Sequence, residues 1–325
     1  MSVLVDACGR KIDYLRISVT DRCDLRCSYC MPEGYAGFEA PAHWLSFDEI
    51  DRVAAIFVRL GVARIRLTGG EPLLRGRLPD LVGKLRRHSG LTDLSLTTNG
   101  TRLAKMAAQI KSAGVDRINV SLDTLTRDRF QALTRRDALD EVLAGLEAAR
   151  NSGLTPIKIN MVWLPGFNGD EIDAMIEYCM DRGFVLRLIE RMPMGDSEFV
   201  SDSGSLQRQT NRLRNRYGMI DHIVPGGGPA RYLTTPDHGF SVGFITPISQ
   251  HFCATCNRVR LTVDGTLHLC LGQEDRLELR PMLRGGASDA DLIDAVRTAM
   301  LRKPHRHEFG SSSRKLTRIM ASTGG

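Results

Sequence analysis

Three cysteines, Cys23, Cys27 and Cys30, fall within the ten residues "DRCDLRCSYC" with the spacing C-x3-C-x2-C. In a loop, that spacing lets three thiolates converge on one metal centre, and soft sulfur donors suit iron–sulfur clusters. Three ligands on a four-iron cube leave one iron open to a small molecule, much as a catalytic zinc keeps an open position. The alternative is a zinc knuckle whose fourth ligand lies elsewhere in the chain. A second trio, Cys253, Cys256 and Cys270, lies in "FCATCNRVRLTVDGTLHLC" with the spacing C-x2-C-x13-C. His251 or His268 could complete a Cys3His zinc site there. Two incomplete trios in one chain point instead to a second cube with its own vacant iron.

Six of the eight cysteines sit in these two groups. That concentration speaks for metal binding in a reducing compartment rather than for disulfides. Of the others, Cys179 in "IEYCM" reads as a small buried hydrophobe, and Cys8 has no assigned role. The 325 residues are 42% hydrophobic and 25% charged, the composition of a chain with a sizeable core. The net charge of +6 is a mild basic excess, which suits an anionic ligand and equally a solvated surface. No run approaches eighteen apolar residues, and the N-terminus lacks the pattern of a signal peptide. A cytoplasmic protein without membrane or nucleic-acid partners is expected. The basic helix carrying Arg208, Arg212, Arg214 and Arg216 reads as a solvated face.

The elements that must position the first trio alternate regularly. Strands are expected at 14–20, 64–70, 93–100, 116–123, 156–164 and 184–190. Helices are expected at 46–61, 78–89, 101–113, 139–153 and 169–183, the first opened by Ser46 as N-cap with Glu49 three residues on. Six such strands imply a parallel sheet with right-handed crossovers. They are too few for an eight-stranded closed barrel, so a partly open barrel and a doubly wound sheet both fit. In either, chemistry gathers at the carboxyl ends of the strands, and the first trio follows strand one. Arg16 and Arg66 alternate with apolar residues on strands one and two, and Arg187 lies on strand six; alternation lets a strand present such side chains to a lumen.

After residue 193 the pattern changes. A polar loop leads to the basic helix, then to a flexible joint in "GGGPARYL". Strands follow in "SVGFITPIS" and "RVRLTVDGTLHLCL", the latter with Asp264-Gly265 as a hairpin turn. A helix over 288–303 precedes a polar tail that holds His305 and His307 and ends in Gly324-Gly325. The expected division is residues 1–193, a core α/β unit, and residues 194–325, an α+β extension covering its open side.

The first trio, with Tyr29 before its last cysteine, resembles the signature of the radical S-adenosylmethionine (SAM) superfamily. "TGGEP" (68–72) strengthens the match: Gly69 and Gly70 let the backbone approach a ligand closely, while Glu71 and Pro72 fix the turn. Within that superfamily the stretches "LRISVTDRCDLRCSYCMP", "RIRLTGGEPLLR", "SLTTNG", "RINVSLD", "PIKINMV" and "FCATCNRVRLTVDG" resemble the GTP 3′,8-cyclase family of molybdenum cofactor biosynthesis. The resemblance runs from about residue 9 to the end of the sequence.

The resemblance implies a partial (β/α)6 barrel, two [4Fe–4S] clusters and SAM as cofactor. It places SAM against Tyr29, Gly69, Gly70, Glu71, Ser121 and Met192. It places GTP against Arg16, Arg64, Arg66, Thr97, Lys158, Arg187 and the Arg258-Val259-Arg260 element, with the guanine on the second cluster. A triphosphate carries roughly four negative charges, and arginine offers a planar fork to its oxygens. Position 64 is often lysine in the family; arginine keeps the charge and changes the geometry. Gly324 and Gly325 would reach into the active site. The implied chemistry is reductive cleavage of SAM, hydrogen abstraction at C3′ of GTP and closure of C3′ onto C8. The implied partners are an electron donor of reduced flavodoxin or ferredoxin type, a downstream cyclic pyranopterin monophosphate synthase and a second copy of the chain in a homodimer.

Overall fold

A computed structural model of the chain describes residues 3–194, 205–224, 227–309 and 318–324. The first half delivers six parallel strands: β1 (Tyr14–Ser18), β2 (Arg64–Thr68), β3 (Asp93–Thr98), β4 (Arg117–Ser121), β5 (Ile157–Trp163) and β6 (Val185–Glu190). Between them run α1 (Phe47–Arg59), α2 (Leu78–Arg86), α3 (Leu103–Ala113), α4 (Arg127–Thr134), α5 (Leu139–Asn151) and α6 (Ile172–Arg182). α1 opens on a full capping box: Ser46 Oγ accepts from the Glu49 amide at 3.1 Å, and Glu49 accepts from the Ser46 amide at 2.7 Å.

The extension supplies α7 (Ser205–Tyr217), β7 (Ile220–His222), β8 (Arg231–Thr234), β9 (Ser241–Ile245), β10 (Arg258–Leu261), β11 (Thr266–His268), β12 (Arg276–Glu278), α8 (Leu279–Arg284), α9 (Asp289–Met300) and α10 (Met320–Thr323). One sheet of twelve strands results, in the order β12-β11-β10-β1-β2-β3-β4-β5-β6-β9-β8-β7. The six-stranded partial barrel is therefore prolonged at both edges: β10 pairs in parallel with β1, and β9 in parallel with β6. The extension covers the open side by adding strands to each lip of the barrel.

Register explains how the sheet separates core from lumen. Leu15, Ile65 and Leu94 are lateral partners on β1 to β3, as are Ile17, Leu67 and Leu96, and all are fully buried. That aliphatic face packs under the helices. The alternate positions place Arg260, Arg16, Arg66 and Ser95 side by side across β10, β1, β2 and β3. The same parity sets Thr97 beside Asn119 and Lys158, and Asn160 beside Arg187. Because a strand's side chains alternate, one set of residues builds the core and the other lines a polar interior.

Five segments depart from the sequence expectation. α4 has no counterpart among the expected helices: its first three residues are all charged, and only Phe130, Leu133 and Thr134 of its eight are buried. Residues 231–234, read as part of a joint, form β8, held on both sides by β7 and β9. The short β7, β12 and α8 carry too few residues for a periodic signal. The hairpin at Asp264-Gly265 is present, with Gly265 at φ 87°. Among the described residues no helix is long and apolar enough to cross a membrane.

Candidate active site

The loop after β1 brings Cys23, Cys27 and Cys30 together. α4 holds this loop from behind: Thr134 and Leu133 carbonyls accept from the amides of Arg26 (2.9 Å) and Ser28 (3.0 Å). On the other side lies the turn after β2. The Gly70 amide donates to Thr20 O at 2.9 Å and the Glu71 amide to Arg22 O at 2.7 Å. A Cβ on Gly69 would stand 2.3 Å from Thr20 O, and one on Gly70 2.2 Å from Arg22 O, so both positions require glycine. Glu71 is fully buried and its carboxylate is spent inside the protein: it accepts from Leu73 N (3.0 Å), Thr98 Oγ1 (2.8 Å) and Asn99 N (2.7 Å). Burial still pushes it up to about 7. Asn99 in turn reaches Cys23 Sγ at 3.7 Å and Asp24 at 2.7 Å. Tyr29 donates to Asp123 at 2.7 Å, Ser121 closes β4 opposite Asn160, and Met192 reaches the cavity wall.

The three thiols are an electrostatic misfit as they stand. Burial, then neighbouring negative charge, pushes Cys23 up to about 11; burial, then Cys23, pushes Cys30 up to about 12; burial and Cys30 raise Cys27 well above the ordinary thiol range. A metal centre supplies the positive charge that turns such thiols into ligands, so the donor set fits a three-thiolate cluster.

Cys253, Cys256 and Cys270 open onto a cavity in the barrel. The second trio has a different environment. Burial raises Cys256, but Lys303 and Arg258 outweigh it and the thiol lies below its ordinary value. Burial leaves Cys270 raised. Among the described residues no three Cys, His, Asp or Glu side chains, those of either trio included, are close enough to grip a single ion; a four-iron cube needs a wider spacing. His268, a possible fourth ligand by sequence, instead accepts a hydrogen bond from Arg318 at 2.6 Å. Burial and that guanidinium press it down to about 3, so its ring is neutral.

The same cavity is lined by Arg16, Arg66, Thr97, Arg187, Arg258, Val259 and Arg260. The partners of several buried cations are neutral oxygens. Arg66 donates to Ser95 Oγ at 3.2 Å, Arg187 to Asn119 Oδ1, Lys158 to Tyr232 OH at 3.4 Å and Arg260 to Gly324 O at 2.5 Å. Burial depresses all four; Arg187 and Arg260 fall to about 10 and Lys158 to about 7. Burial and Arg260 likewise hold Arg16 well below its usual value. So much buried positive charge calls for an anion. Among the described residues, Arg187 Nε, Asn160 Oδ1 and Tyr14 OH are buried without a hydrogen-bond partner. Two expected residues are placed differently: Arg64, half-buried at the start of β2, pairs with Asp13 at 2.6 Å, and Lys158 is buried against Tyr232; neither lines the cavity.

The tail joins the two sites. Ile319, Ala321 and Thr323 are buried, and the Ala321 amide donates to Cys30 Sγ. Gly324 sits at φ 71°, against Thr68 and Ser18, where a Cβ would stand 2.3 Å from Thr68 Cγ2. The expected role of Gly325 lies outside the described residues. Sequence reasoning missed Tyr14, Asn119, Asn160, Tyr232, Arg10 and Lys303. Asn119 and Asn160 were within reach, since they occupy the same alternate strand positions as the cations. Nothing local in the sequence marks Tyr232 or Lys303.

Residues 17–179 match the Radical SAM superfamily, and residues 184–309 match Molybdenum Cofactor Synthesis C. GTP 3′,8-cyclase of Paracoccus denitrificans is 46% identical over 99% of this chain and 96% of its own length. That of Erythrobacter litoralis is 48% identical over 100% of this chain and 99% of its own. Among solved structures, Streptococcus suis SuiB bound to S-adenosylmethionine aligns with a TM-score of 0.62 over 88% of this chain and 68% of that one. At 15% identity, that likeness shows a shared fold. With two curated relatives at nearly half identity along the full length, the chain belongs to the GTP 3′,8-cyclase family of radical S-adenosylmethionine enzymes.

Proposed function

We propose that the chain converts GTP to (8S)-3′,8-cyclo-7,8-dihydroguanosine 5′-triphosphate, the first step of molybdenum cofactor biosynthesis, as a lyase using two [4Fe–4S] clusters and SAM. The observation that carries this reading is the row of buried cations beside the second cysteine trio. Arg16, Arg66, Arg187 and Arg260 form a cradle whose positive charge suits a triphosphate. Arg258 stands over the Tyr14 and Phe252 rings, 5.7 and 5.5 Å from their centroids, next to the trio on which the guanine would rest.

Cys23, Cys27 and Cys30 would hold the first cluster, and Cys253, Cys256 and Cys270 the second. When bound, the first cluster and SAM supply a one-electron cleavage that yields a carbon radical able to take hydrogen from C3′ of the ribose. The residues around them bind, orient and exclude water. Gly69 and Gly70 let backbone pack closely beside the first cysteine loop, and Tyr29, Ser121 and Met192 would meet SAM. Thr97, on the cavity wall, and Lys158, behind it on β5, would add to the phosphate contacts. The buried tail, with Gly324 held by Arg260, would help shield a radical from side reactions.

The reading carries further expectations. Residues 1–193 form the radical-generating unit and residues 194–325 the substrate-holding extension. A low-potential one-electron donor of flavodoxin or ferredoxin type feeds the first cluster. The product passes to a cyclic pyranopterin monophosphate synthase, the chain works as a homodimer, and six cysteines kept as thiols suit the cytoplasm. The test is anaerobic incubation of the reconstituted protein with GTP, SAM and dithionite, followed by mass spectrometry. Equal formation of 5′-deoxyadenosine and the cyclic nucleotide is expected. Cleavage of SAM that leaves GTP unchanged would refute the assignment.

A further inference from the structure

Lys303 follows α9 and is 4% exposed. An ammonium has three N–H donors, and here three acceptors receive them. They are Arg258 O at 3.1 Å, Leu269 O at 2.5 Å and Cys256 Sγ at 3.7 Å. Arg258 is two residues past Cys256, and Leu269 is one residue before Cys270. The side chain thus ties together both arms of the β10–β11 hairpin that carry these two cysteines.

The third cysteine is tied to the same point. Arg10 donates to Cys253 O at 2.7 Å and to the carbonyls that directly follow Lys303, Pro304 O at 2.7 Å and His305 O at 2.9 Å. Arg10 is neutralised by Asp6 at 2.6 Å. Lys303 has no carboxylate among its three acceptors, so its charge is delivered to the sulfur side. The first trio is treated otherwise. Among the described residues its sulfurs receive neutral donors, from Leu25 N at 3.4 Å, Asn99 Nδ2 at 3.7 Å and backbone amides at Cys27 and Ala321, and Asp24 lies next to Cys23.

We propose that Lys303 is a positioning residue of the second cysteine trio, holding the hairpin and placing a positive charge and an N–H···S contact on Cys256 so that a cluster there is easier to reduce. This rests on the two-cluster reading above. Hydrogen bonds to sulfur and nearby positive charge both favour the more negative, reduced state, and a buried site transmits that charge with little screening. The sign is therefore fixed: loss of the ammonium lowers the midpoint of the second cluster and leaves that of the first in place.

The experiment is a dithionite titration of the reconstituted full chain followed by electron paramagnetic resonance, with iron counted first. Wild type, Lys303→Met and Lys303→Arg are compared, and a Cys23→Ala/Cys27→Ala/Cys30→Ala chain gives the reference signal of the second cluster alone. Wild type holding about four irons instead of about eight would defeat the two-cluster reading itself. With about eight irons in the methionine variant, a tenfold loss of reduced second cluster at fixed potential is expected, or about 59 mV for one electron. An unchanged second midpoint, or an equal shift in both clusters, overturns the proposal. Should the methionine variant load only the first cluster, Lys303→Arg decides: restored loading supports the charge role and continued loss overturns it.

Discussion

Tyr29 and Asp123 are joined by a 2.7 Å hydrogen bond that links the first cysteine loop to the end of β4. The other oxygen of Asp123 accepts from Val162 N at 2.7 Å, so the carboxylate fixes the tyrosine from strand β5 as well. Burial lifts Asp123 to about 6, and the Tyr29 hydrogen bond keeps it from rising further. A carboxyl raised in the folded state binds more protons there than in the unfolded chain, so its contribution to stability falls as pH rises through that window. Tyr29→Phe removes the restraint. The variant is expected to lose on the order of 1–3 kcal/mol at pH 8 and less at pH 5, where the carboxyl is protonated in both proteins. Denaturant melts at the two pH values check this; equal losses would refute it.

Lys158 is held at about 7 by burial and by the charges of Arg187, Arg117 and Arg66. A bound triphosphate reverses that balance and favours the ammonium. GTP binding at pH 8 should therefore take up a proton, and affinity should fall as pH rises above 7. Lys158→Met is expected to weaken GTP roughly tenfold to a hundredfold and to abolish the uptake. Calorimetry in two buffers of different ionisation enthalpy reads both effects, and proton uptake retained in the variant would contradict the assignment.

Gly324→Ala adds a methyl where Thr68 Cγ2 already stands, at a φ that side chains avoid. The tail must leave its seat between Ser18, Thr68 and Arg260. Product formation should fall by roughly tenfold or more, while the melting temperature stays at the wild-type value. Nucleotide product measured by mass spectrometry against a parallel melt separates the two; wild-type turnover would show the seat to be unnecessary.

A chain stopped at residue 194 loses β9 and β10 and bares the edges of β6 and β1. It also loses Val242, Phe244, Val259 and Leu261 from the core. Each such burial contributes about 1.5–3 kcal/mol, so four of them rival the stability of an average domain. The fragment is expected to aggregate through its open strands. Light scattering and sedimentation provide the measurement, and a soluble fragment with a cooperative melt would be the opposing result.

The sequence made the chemistry more legible than the architecture. Both cysteine trios and the strand cations are local patterns, readable from spacing and alternation. The closure of the lumen is not local: β9 pairs with β6 across a break of some fifty residues, and β10 with β1 from the far end of the chain. Arg64 and Arg66 show the limit of strand reasoning. Both lie on β2 at even spacing, but Arg64 meets Asp13 at the start of the strand and is drawn away from the cavity wall. Lys303 was invisible for the opposite reason. Its three acceptors are scattered over residues 256 to 269, and only the folded hairpin brings them to one point.

The seat of residues 319–324 also couples the two sites mechanically. The Ala321 amide donates to Cys30 Sγ and the Gly324 carbonyl accepts from Arg260, so one short segment touches both the first sulfur trio and the row of cations. Any displacement of that segment is felt at both ends at once.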